Sequence, residues 1–102
     1  MIALTDNTFD KYREDGMPML VMFHAFFAGP CNLATPEFEG LAGRIGNRVR
    51  CATFDLDGNP DVPERYGVRG IPLFVMFEDG VPVKAVAGAL NLDQLLEQFD
   101  AE

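Results

Sequence analysis

Two stretches of the chain, Met19–His24 and Leu73–Glu78, are apolar up to their last residue and lack every-other-residue alternation. Such runs suit central strands covered by helices on both faces of a sheet. Val49–Asp55 reads as a third strand, with Val49, Cys51 and Thr53 on one face and Ala52 and Phe54 on the other. Between the first and third runs, Ala34, Phe38, Leu41, Ala42 and Ile45 recur at helical spacing. They predict a long helix from Pro30 to about Gly46, kinked where Pro36 removes a backbone donor.

The remaining elements are shorter. Ile2–Leu4 fits an edge strand, and Thr5 or Asp6 is placed to cap a helix running to about Asp15, with Phe9 and Tyr12 on its inner face and Gly16 as its stop. Asp57-Gly58-Asn59-Pro60 is turn chemistry, and Asp61–Tyr66 fits a short helix. Asp79-Gly80 predicts a hairpin into Val83–Ala87, with Pro82 marking a sheet edge. Asn91 is the expected cap of a last helix carrying Leu92, Leu95, Leu96 and Phe99. Strands alternating with helices, then a terminal hairpin, give an α/β fold: a central mixed five-stranded sheet flanked by helices on both faces.

Composition narrows the functional classes. The 102 residues suffice for one domain with one core, taken as 1–102. A net charge of −8 argues against nucleic acid and anionic membrane partners, because nothing here displaces phosphate counterions, and it favours neutral or basic proteins. No stretch approaches the ~18 apolar residues of a membrane span. The N-terminal residues lack the basic and apolar regions of a secretory signal, so a cytoplasmic protein is the expectation. Two cysteines and one histidine supply no zinc set. No metal or cofactor is expected, and nothing suggests more than a monomer.

The chemistry sits in Ala28-Gly29-Pro30-Cys31, between the strand ending at His24 and the long helix. A Cys at residue 28 would complete Cys-Gly-Pro-Cys, a reactive dithiol turn. A thiol just before a helix ionises readily, since free N–H groups and the macrodipole favour an anion. It attacks a substrate disulfide, and the second thiol resolves the mixed intermediate. Gly29 permits the close approach and Pro30 presets φ for the first turn. The loop thus carries the geometry of thiol–disulfide exchange without its first nucleophile.

A second signal lies about forty residues on, in Tyr66-Gly67-Val68-Arg69-Gly70-Ile71-Pro72, where Pro72 is expected to be cis. With it the chain resembles the thioredoxin family essentially end to end. Phe23-His24-Ala25-Phe26-Phe27-Ala28-Gly29-Pro30-Cys31 is similar to that family's Phe-Trp-Ala-x-Trp-Cys-Gly-Pro-Cys. The Pro72 segment is similar to its Tyr-Gly-Ile-Arg-Gly-Ile-Pro, whose Pro is cis and faces the active turn. Phe77-Glu78-Asp79-Gly80 and Val86-Ala87-Gly88-Ala89 resemble its closing hairpin and the Gly bordering its substrate groove. The resemblance implies the thioredoxin fold and protein disulfide reduction. Disulfide-containing or extended protein segments would be the substrates, with a thioredoxin reductase as recharging partner.

The departures from that pattern matter as much. Ala28 vacates the attacking position, and divergence or a deliberate Cys→Ala exchange fits it equally. Met22 stands where the family keeps a buried Asp, and His24 and Phe27 replace two Trp residues, which suggests a divergent member. Cys31, in the resolving position, should be more buried than residue 28 and has no partner for an internal disulfide. Cys51 reads as a buried core thiol, too far from Cys31 to bridge. His24 is a packed residue or, alternatively, handles protons for Cys31 in place of the missing Asp. Phe26 and Phe27, beside the turn, are expected to form part of an exposed contact patch. The backbone at Ile71 should serve an extended peptide, with Gly88 keeping the groove open. The leading expectation is a disulfide oxidoreductase that cannot cycle as written; the alternative is a non-catalytic peptide-binding module of the same fold.

Overall fold

The computed structural model describes residues 1–100. Five strands form one mixed sheet: β1 (Ile2–Leu4), β2 (Met19–His24), β3 (Arg50–Asp55), β4 (Leu73–Glu78) and β5 (Val81–Ala87). Their spatial order is β1-β3-β2-β4-β5. The pairs β1–β3 and β3–β2 are parallel, whereas β2–β4 and β4–β5 are antiparallel. Four helices, α1 (Phe9–Arg13), α2 (Gly29–Ile45), α3 (Asp61–Arg65) and α4 (Leu92–Phe99), alternate with the strands in the expected order.

The double-faced character of β2 follows from its place at the centre. Residues Met19–Phe23 are buried, and they alternate between two cores. Leu20 and Met22 join Phe38, Leu41 and Ile45 of α2 and Leu95 of α4. Val21 and Phe23 join Phe9 of α1, Val62 of α3 and Phe54 of β3. The alternation read along β3 holds, with Cys51 in the first core and Ala52 and Phe54 in the second. Helices cover both faces of the sheet, which is what the unbroken hydrophobic runs required.

Two elements start away from expectation, each for a local reason. α1 is only one turn long and starts after Thr8, not after Thr5 or Asp6. Thr5 instead closes a turn through its carbonyl, which accepts from the Thr8 and Phe9 N–H groups. Asp6 caps a different helix: its carboxylate accepts from the N–H groups of Asp61 (3.0 Å) and Val62 (2.9 Å) at the start of α3. β5 begins two residues early and passes Pro82, which an edge strand tolerates; the ladder shifts register there, between Met76 and Phe77. α2 runs across Pro36 as expected, and the missing N–H there leaves the Asn32 carbonyl without its helical donor.

The hairpin turn and the α4 cap are as read. Asp79 and Gly80 both have positive φ, 53° and 80°. Asn91 and Gln94 exchange side-chain and backbone bonds in a complete capping box.

Candidate functional site

Strand register brings the predicted segments to one end of the sheet. Phe23 pairs with Leu73, so the chain leaves β2 for the Ala28 turn where Pro72 delivers it into β4. Leu73 in turn pairs with Ala87, and the Gly88 N–H donates to the Pro72 carbonyl at 3.0 Å. Residues 25–31, 71–72 and 88 therefore lie on adjacent strand ends although they are far apart in sequence.

Ala28 is the N-cap of α2, with extended backbone (φ −90°, ψ 113°) and no side-chain oxygen or sulfur to occupy the helix end. Its N–H donates to the Ala25 carbonyl (3.1 Å), and the Cys31 N–H donates to its carbonyl (3.0 Å). These two tight turns hold Gly29 and Pro30 at the exposed tip. The amide of Asn32 donates to the Phe26 carbonyl at 3.4 Å, tying the turn back onto the helix. Cys31 is only 1% exposed, and Thr35 Oγ1 donates to its carbonyl at 2.9 Å.

Both thiols are free. Cys51 lies in the α2-side core, where burial pushes its thiol up to about 11. It belongs to packing, and the site keeps one thiol, Cys31.

Phe26 and Phe27 stand 76% and 80% exposed at the turn. Leu33, just inside α2, is exposed as well. Leu33 was not among the residues singled out from sequence. Its signal is negative, for it falls off the Ala34–Phe38–Leu41 stripe that faces the core. Opposite the turn, the Ile71–Pro72 bond is cis, Pro72 is buried and Ile71 half-buried. Among the described residues no backbone hydrogen bond involves Ile71, so its N–H and C=O are available to a guest strand. Gly88 has φ +120°, and a Cβ there would meet no atom within 4 Å. Backbone conformation rather than crowding requires glycine at this position.

His24 is half-buried and lines a cleft of about 590 Å³ with Met22, Thr35, Glu39 and Thr53. Cys31 is not part of that lining, and among the described residues no hydrogen bond reaches the imidazole. Met22, fully buried, pairs with Thr53 across the β2–β3 ladder, so neither strand puts an ionisable group at that point of the core. Among the described residues no three His, Cys, Asp or Glu converge as a metal set. No helix among them is long and apolar enough to cross a membrane.

Comparison with known proteins agrees with this geometry. The family model described as Thioredoxin matches residues 1–101. The chain is similar to the thioredoxin of Rhodospirillum rubrum, 39% identical over 99% of this chain and 98% of the relative. It is also similar to the thioredoxin of Acidithiobacillus ferridurans, 33% identical over 100% of this chain and 95% of the relative. Thioredoxin 1 of Synechococcus elongatus is 35% identical over 96% and 92% respectively.

Proposed function

The chain belongs to the thioredoxin family, and from that premise we propose that it binds disulfide-containing or extended protein segments but does not complete their reduction. The family is one of thiol–disulfide oxidoreductases. The observation that carries the proposal is the pairing of a preserved turn with a vacant nucleophile. Ala28 occupies the α2 N-cap, where a thiolate would be stabilised, while Cys31 is buried behind it.

In the complete reaction a thiolate at residue 28 attacks one sulfur of the substrate disulfide and the other sulfur leaves as a thiolate. Cys31 then attacks the mixed disulfide, releases the second substrate thiolate and closes a 28–31 disulfide. A reductase of the thioredoxin-reductase class would restore the dithiol. In this chain the methyl of Ala28 cannot open the sequence, and Cys31 has no neighbour with which to close it. Ile71, Pro72 and Gly88 would hold the segment, Phe26 and Phe27 would contact it, and the protein would act as a cytoplasmic monomer.

Insulin reduction tests this directly. The chain as it stands should give no multiple turnover, and Ala28→Cys should turn over with a reductase or dithiothreitol as electron source. Normal turnover by the unaltered chain overturns the proposal. Silence of Ala28→Cys in a folded protein favours the second reading, a binding module that has abandoned catalysis. That reading draws on Met22 and Thr53, which put no carboxylate at that point of the β2–β3 ladder. His24→Gln separates the readings further: in Ala28→Cys, an unchanged Cys31 alkylation rate from pH 6 to 9 removes the imidazole from proton handling.

A further inference from the structure

The geometry points to a partner of defined chemistry for this surface: an extended protein segment bearing Arg or Lys, whose cation lies over Phe26 and Phe27 and beside Asp55 and Asp57. The inference rests on the reading of the Ile71 edge as a peptide site and adds the charge of its occupant. It comes from how the turn is flanked. Parallel pairing of β2 with β3 sets His24 against Asp55, and the Leu56 N–H donates to the His24 carbonyl at 2.9 Å. The Asp55–Asp57 corner therefore adjoins the turn on the side away from Pro72.

Neither carboxylate is neutralised. Among the described residues no ion pair reaches Asp55 or Asp57; Asp55 Oδ1 accepts only the Asp57 N–H, at 2.9 Å, and its second oxygen is free. Asp6 and Asp10, by contrast, are engaged, Asp6 by the start of α3 and Asp10 by Arg13 and Arg65. The turn that this corner adjoins carries two phenyl rings that are 76% and 80% exposed. A guanidinium or ammonium satisfies both at once, by stacking on a ring face and by pairing with a carboxylate. An anionic segment would meet like charge at this corner. Arg69, exposed, stands in the segment that leads into Ile71, so the surface is polarised, acidic toward β3 and basic toward β4. That polarity places the partner's cation at the turn rather than at the Pro72 end.

Two fluorescein-labelled, cysteine-free nonapeptides test it, sharing a Val/Ser frame and differing only in two central Arg or two central Glu residues. Anisotropy titration of the intact chain should show the Arg peptide binding about tenfold or more tightly, with the preference shrinking as salt rises toward 0.5 M. Asp55→Asn with Asp57→Asn should remove most of the preference while keeping the Asp57 N–H acceptor. The charge-matched pair Glu78→Gln with Asp79→Asn, at the hairpin on the opposite end of the sheet, should leave it unchanged. Phe26→Ser with Phe27→Ser, at exposed positions and checked by circular dichroism, should weaken the Arg peptide at least fivefold. Equal binding of the two peptides, no binding of either at millimolar concentration, or equal loss from the two acid pairs overturns the inference. Turnover of insulin by Ala28→Cys alongside a failed charge test leaves the family reading standing and sinks this one alone.

Discussion

The starts of α2 and α4 are built to opposite specifications. α4 opens on Asn91, whose side chain accepts from the Gln94 N–H while the Gln94 side chain returns a bond to the Asn91 backbone, each at 2.9 Å. Two donors that would otherwise be unpaired are closed off. α2, twice as long and carrying five buried residues, opens on an alanine that closes nothing. A chain that can write a complete capping box at one helix has left the more important helix uncapped. The difference teaches where stability was sought and where a position was kept for something else, since an N-cap filled by a structural acceptor has no room for a reacting group.

α3 sharpens the contrast, because its donors are satisfied from a distance. Asp6 accepts from both Asp61 and Val62, across fifty-five residues of sequence. Loss of this carboxylate is the largest effect expected here. Asp6→Ala should lower stability by about 2 kcal/mol, close to ten degrees in Tm for a domain of this size, read by thermal circular dichroism. A loss under 0.5 kcal/mol would mean that water replaces Asp6 at little cost. Asn91→Ala comes next, at about 1 kcal/mol, with Gln94→Ala adding less than its own single effect because the two bonds belong to one box.

The third change runs the other way. Ala28→Asp supplies α2 with the acceptor it lacks, in backbone already extended as an N-cap requires. It should stabilise the protein by about 0.5–1 kcal/mol, seen as a raised urea midpoint at unchanged slope. A destabilising outcome would show that the turn around residue 28 tolerates only small apolar or thiol side chains. The comparison between the two helix starts would then reflect crowding rather than a reserved position.

How much of this was legible depended on the range of the interaction. The strands β2 and β4 were read to the residue, since their apolar runs report burial on two faces. The capping box of α4 was visible too, because Asn91 and Gln94 are one turn apart. Asp6 was assigned to the nearest helix, and sequence carries no mark that its partners lie at Asp61. Pro82 correctly marked a sheet edge, but the strand start was set after it at Val83, whereas β5 begins at Val81 and pairs through Pro82. At the site, residues 28–31 and 71–72 were read from motif. Leu33 was legible only as a gap in the Ala34–Phe38–Leu41 stripe, and the Asp55–Asp57 corner escaped because its closeness to the turn arises only when β3 is laid beside β2.

The last effect depends on pH and belongs to Cys51. Cys51 is pushed up to about 11 by burial in the α2-side core. In the unfolded chain a cysteine titrates near 8.5. With the folded value the higher, the folded state holds its proton where the unfolded state has lost it. This contribution to stability is fully present below about pH 8.5 and is lost as pH rises through the folded value. The urea midpoint should therefore decline between pH 8.5 and 10.5, and Cys51→Ala should flatten that decline while costing some stability at neutral pH through the lost packing. An alkaline decline that survives unchanged in Cys51→Ala would show that another group is responsible for it and that Cys51 serves the fold by packing alone.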